Sequence, residues 1–189
     1  MVERAEPLHT GGMADAIVPD DKDWTWVLAA VCPECGFDST AFAANEVGAM
    51  IRANAASFAT ILAGDIELLR TRPDPATWSA LEYGAHVRDV YLLFRERLAL
   101  ILDEADPLFA NWDQDATAVA ERYAEQDPAV VSLELVSAAD ALANAFDAVS
   151  GAQWRRPGRR SDGSVFTIDS FARYLIHDPV HHLHDVTAT

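Results

Sequence analysis

The chain has 189 residues, half of them hydrophobic, with 14 basic against 30 acidic side chains and a formal net charge of −16. It is long enough for one domain with a sizeable core and too apolar to remain disordered. So acidic a surface repels phosphate backbones and anionic lipid, which argues against nucleic acid or a membrane as partner.

Residues 1–22 carry Gly11, Gly12, Pro19 and an acidic run, with no sustained apolar period, and read as a tail. The opening MVERAEPLHTGG has no apolar core of a signal peptide. No apolar run approaches the roughly 20 residues that span a bilayer, so a cytoplasmic location is expected. Residues 23–44 form an irregular segment in which Trp24, Trp26 and Val27 are expected to pack on the main body. It holds the only two cysteines, Cys32 and Cys35, too few for a disulfide scaffold. The expected organisation is an N-terminal extension over 1–44 followed by a helical domain over 45–189.

Four amphipathic helices are predicted. The first runs from Asn45 to Leu69, with Val47, Ile51, Phe58, Ile61, Leu62 and Leu69 at helical spacing. Pro73 and Pro75 break the chain, and Ser79 with Glu82 forms a capping box that opens a second helix to Leu102. After Asp106-Pro107 comes a long connection with room for a short helix near Val119. The third helix starts at Pro128, a residue suited to a first turn, and ends by Ser150-Gly151. An arginine-rich loop then leads to a fourth helix, capped by Thr167 and running to Asp185. No alternating strand pattern stands out. The fold class is all-α, a four-helix bundle.

Five of the six histidines fall on the second and fourth helices. Spacing of i, i+4 puts His177 and His181 about 40° apart around one helix, so two imidazoles can face one ion. A third ligand must come from a facing helix, where His86 is the histidine present. Three neutral nitrogen donors leave coordination positions open, the pattern of a catalytic site. His182 is rotated about 140° from His177 and is expected to point elsewhere.

The segments WSALEYGAHVRDV (Trp78 to Val90) and YLIHDPVHHLHDV (Tyr174 to Val186) resemble the signature segments of the DinB-like, or YfiT-like, superfamily. The resemblance spans approximately Asn45 to Val186. It implies a bundle in up-down-down-up order and one divalent ion, zinc or nickel, on three histidines that map onto His86, His177 and His181. Pro179 interrupts the H-x-x-x-H, and a proline inside a helix removes a backbone hydrogen bond and crowds the carbonyl of Leu175.

Around this site, Asp89 is expected to take the second ring N–H of a metal-bound histidine, with Glu82, Asp178 and Asp185 as further candidates. Arg159 and Arg160, in the only basic cluster with Arg155 and Arg156, suggest an anion clamp, and Trp112 a wall of the same pocket. Cys32-Pro-Glu-Cys35-Gly reads as half a zinc knuckle needing two more ligands, with His9, His182 and His184 as conceivable donors. The alternatives are simple thiols or redox chemistry. On each reading the cysteines stand apart from the three-histidine site.

For function, the resemblance implies a thiol S-transferase acting on small electrophiles. Lys22 is the only lysine among the 14 basic residues, a bias of GC-rich genomes that points to mycothiol as the cosubstrate. A hydrolase using water as nucleophile and a non-catalytic metal-binding module are the other readings, and a homodimer is one of the assemblies open to the chain. No catalytic side chain is assigned.

Overall fold

The computed structural model describes residues 23–188. Residues 1–22, with the expected tail and His9, lie outside the described residues. The helices are α1 (Val47–Leu62), α2 (Ile66–Arg70), α3 (Ala80–Asp103), α4 (Gln114–Ala120), α5 (Pro128–Asp147) and α6 (Ile168–Thr187). Four of them, α1, α3, α5 and α6, form the bundle. Each of α1 and α3 packs on both α5 and α6, so α1 stands across a diagonal from α3, and α5 from α6.

Their directions follow from which ends meet. Leu62 at the end of α1 clusters with Leu81 at the start of α3 and Val131 at the start of α5. His86, early in α3, meets His182, late in α6. The order is therefore up-down-down-up. Parallel neighbours α3 and α5 require the chain to return along the bundle, and residues 104–127 make that return.

The caps explain the starts. Ser79 Oγ accepts from the Glu82 amide at 3.3 Å, and Glu82 accepts the Ser79 N–H at 2.8 Å. Asp127 caps α5 ahead of Pro128, and Thr167 caps α6. The predicted first helix is divided in two. Gly64 N–H closes a turn on Ile61 O, and the Asp65 side chain then accepts from Glu67 and Leu68 to start α2. Replacing Ser79 with Ala is expected to cost about 1 kcal/mol. A melting temperature lower by about 2–4 °C in calorimetry is the check, and an unchanged one counts against the cap.

Val47, Ile51 and Phe58 of α1, Val90, Phe94 and Leu98 of α3, Leu135, Leu142 and Phe146 of α5, and Phe171 and Leu175 of α6 form the core. Each such side chain contributes roughly 1.5–3 kcal/mol by leaving water. By length and composition α5 is apolar enough to cross a membrane, but its Val131, Leu135 and Leu142 are fully buried between α1 and α3, the place of a core helix. The 23–44 segment is no separate unit, since Cys32, Phe37 and Ala44 belong to the bundle's own core.

The arginine-rich stretch is a hairpin where a loop was expected. Strands β2 (Pro157–Arg160) and β3 (Val165–Thr167) pair antiparallel, and β1 (Leu108–Phe109) adds in parallel to β2. Gly158 passes so close to α3 that a Cβ there would lie 2.6 Å from Ile101 Cγ1. Arg156 crosses the same junction and donates to Ile101 O and Glu104 O, satisfying carbonyls at the end of α3.

Candidate metal centre

Helix α6 runs unbroken through Pro179 and carries its donors on two adjacent faces. His177 and His181 form one i, i+4 pair, and Asp178 and His182 form another, displaced by one residue, or about 100°. The first pair faces the N-terminal segment. The second faces α3. The three histidines expected to share one ion are thus divided between two clusters. His86 lies with Asp178 and His182, and His177 and His181 lie with Cys32 and Cys35. In each cluster the donor atoms all fall within 4.8 Å of one another.

In the α3 cluster, His86 Nε2 is 3.3 Å and His182 Nε2 3.8 Å from Asp178 Oδ1. These separations approach the edges, about 3.3–3.6 Å, of a tetrahedron with metal bonds of 2.0–2.2 Å. Both ring nitrogens of His86 and Oδ1 of Asp178 are buried without a hydrogen bond of normal geometry among the described residues. A buried polar atom without a partner costs about 1–3 kcal/mol, which an ion would relieve. The donors fit a divalent cation.

Asp185 orients His182. Its Oδ2 lies 3.1 Å from His182 Nδ1, so a proton held there leaves the Nε2 lone pair for the ion. Asp89, expected in such a role toward His86, is engaged elsewhere. It accepts from Tyr123 Oη at 2.5 Å and from Arg88 Nε at 2.8 Å. Glu82 is held by Arg72 and the α3 cap. Trp112 stacks on the His86 ring at 5.4 Å and 10°, fixed by donation from its Nε1 to Thr117 Oγ1. Burial raises the pKa of Asp178, and the imidazoles of His86 and His182 more than offset this, leaving it lowered.

Asp178 and His182 open on a cavity of about 530 Å³, the size of a small-ligand site, and His177 and His181 also line it. Trp112 and Arg160 line it, and Arg159 does not. Arg159 pairs with Asp106 at the surface, and Arg160 is tied to Asp162 and Tyr174. The cavity's buried cation is Arg97, which the sequence reading passed over. Its guanidinium lies over the rings of Phe94 and Phe109 and donates to Ala110 O. It has no carboxylate within ion-pair distance among the described residues. Burial, with the nearby charge of Arg160, pushes its pKa down to about 10. The signal was present: Arg97 sits in the apolar stripe Val90, Phe94, Leu98, Ile101, where a charge needs a reason.

In the second cluster, burial and the neighbouring His181 lower His177 to about 4, so it is neutral near pH 7. Burial raises Cys35 to about 11. The cysteines do not stand apart from the α6 histidines, and their partners are His177 and His181 in place of the His182 and His184 considered earlier.

A family model described as the DinB superfamily matches residues 46–186. No curated protein matches the chain. Among solved structures, YfiT from Bacillus subtilis matches at a TM-score of 0.60 and 16% identity, over 92% of this chain and 93% of that one. YfiT is described as a probable metal-dependent hydrolase with an unusual four-helix bundle topology. At that identity the likeness shows the fold alone.

Proposed function

The chain belongs to the DinB superfamily, and from that membership and the geometry above we propose that it is a metal-dependent hydrolase of small anionic molecules. His86, Asp178 and His182 would hold the ion. The observation that carries this reading is the set of buried, unpartnered donor atoms beside a ligand-sized cavity. A divalent ion held by these residues would supply Lewis acidity for a substrate oxygen and for the nucleophile.

The chain's own residues set the rest. Asp185 holds the His182 ring with Nε2 facing the site. The rings of Trp78 and Trp112, 5.2 and 5.4 Å from that of His86, keep water from its faces. Arg97 lines the cavity and offers charge-assisted donors to a carboxylate or phosphate there. Two imidazoles with one carboxylate are the donor set of several zinc hydrolases, which favours hydrolysis over the thiol transfer expected from the resemblance. S-transfer with a mycothiol-type thiol and a small electrophile stays as the second reading, favoured by a cavity with room for two small reactants.

The test is turnover of a panel of anionic esters and amides by zinc- or nickel-loaded protein, with and without added thiols. Thiol-independent cleavage that chelation removes is expected. Turnover only when a thiol is present would transfer the assignment to the second reading, and no turnover in metal-replete protein would overturn both. Arg97→Met should raise KM for an anionic substrate by about tenfold or more, the worth of one charge-assisted hydrogen bond, with metal content unchanged. An equal effect on a neutral analogue would remove Arg97 from recognition.

A further inference from the structure

We propose that Cys32, Cys35, His177 and His181 form a second, structural zinc site that fastens the N-terminal segment to α6. The four donors come from two parts of the chain about 140 residues apart. Cys32 Sγ lies 3.7 Å from His181 Nδ1. A tetrahedral zinc with bonds of about 2.3 Å to sulfur and 2.0–2.1 Å to nitrogen has a sulfur–nitrogen edge of about 3.6 Å. This pair is therefore close to the spacing the ion demands, and all four donors fall within 4.8 Å of one another.

The loop has the form such a site needs. Cys32 N–H donates to Phe37 O at 2.8 Å, and Gly36 N–H donates to Cys32 O at 2.9 Å. Gly36 has φ +72°, a conformation that a side chain resists, and this lets the chain turn back directly after Cys35. Both thiols are free, and Cys32 is buried.

The histidines carry two independent signs of ligation. His181 turns Nδ1 to the sulfur and Nε2 to carboxylates, with Glu34 Oε2 at 3.3 Å and Asp185 Oδ1 at 3.8 Å. That is the arrangement of a metal-bound imidazole donating its second N–H to an acid, and Glu34 comes from between the two cysteines. His177 Nε2 is buried with no hydrogen-bond partner among the described residues. Trp24 and Phe37 pack on the His177 ring at 5.3 and 5.2 Å and hold it in place. Four protein donors fill a tetrahedron and leave no position for substrate, the mark of a structural site.

Zinc-replete full-length protein, purified without chelator, should carry two zinc ions per chain, with sulfur scattering at about 2.3 Å in its zinc absorption fine structure. Cys35→Ser should lose one ion and the sulfur shell. His86→Ala should also lose one ion and keep the sulfur shell. Retention of both ions in Cys35→Ser would overturn the proposal. Should that variant not fold, cobalt-substituted wild-type protein decides. A sulfur-to-cobalt charge-transfer band in the near ultraviolet is expected, and its absence would overturn the site.

Discussion

Asp178→Asn is expected to weaken metal binding at the cavity site by about two orders of magnitude and to lower metal-dependent turnover in step. The asparagine has the same shape and replaces an anionic oxygen with a neutral one. Structural zinc sites bind with about 10–16 kcal/mol over four ligands, so one ligand carries roughly 3 kcal/mol, or about a hundredfold. Removing the charge also leaves His86 and His182 without the carboxylate that faces them at 3.3 and 3.8 Å. Competition with a chromophoric chelator measures the change, and circular dichroism establishes that the helices persist. His177→Ala should leave this ion in place, because His177 belongs to the other cluster. Undiminished affinity in Asp178→Asn, with loss of this ion in His177→Ala, would restore the arrangement first expected from the histidine spacing.

The largest effect on stability is expected at Asn54. Its Oδ1 accepts from Tyr91 Oη at 2.8 Å, and its Nδ2 donates to Pro179 O at 2.7 Å, all in the bundle interior. Asn54→Ala strands a buried hydroxyl and deprives a carbonyl of one donor. Unsatisfied buried groups cost about 1–3 kcal/mol each, and a loss near 3 kcal/mol in total corresponds to a melting temperature lower by about 6–12 °C. Adding Tyr91→Phe should recover part of the loss, because the stranded hydroxyl is then gone. Calorimetry of the two variants is the measurement. A drop below about 2 °C for Asn54→Ala would mean that the network contributes nothing.

The bundle itself was legible in the sequence because its signals are local. The capping box at Ser79, proline at the first turn of α5 and the Thr167 cap each declare a helix start within four residues. The short strands were not legible, since elements of two to four residues are too brief to show alternation. For the donors, spacing identified pairs but could not choose among them. His177/His181 and Asp178/His182 both satisfy i, i+4, and which pair meets His86 depends on the rotation of α6 about its axis. That rotation is set by packing of distant residues, Phe171 and Leu175 among them, and leaves no local mark. The partners of Cys32 and Cys35 were hidden for the same reason, since the docking of 23–44 on α6 is wholly tertiary.

The placement of both donor pairs on α6, one residue out of phase, joins the two clusters through the core. A helix that turns as a rigid body cannot position one pair without positioning the other. Because the packing of Phe171 and Leu175 fixes that rotation, both pairs stand aligned before any ion arrives. A core substitution that turned α6 is therefore expected to misalign both donor sets at once, although they share no ligand.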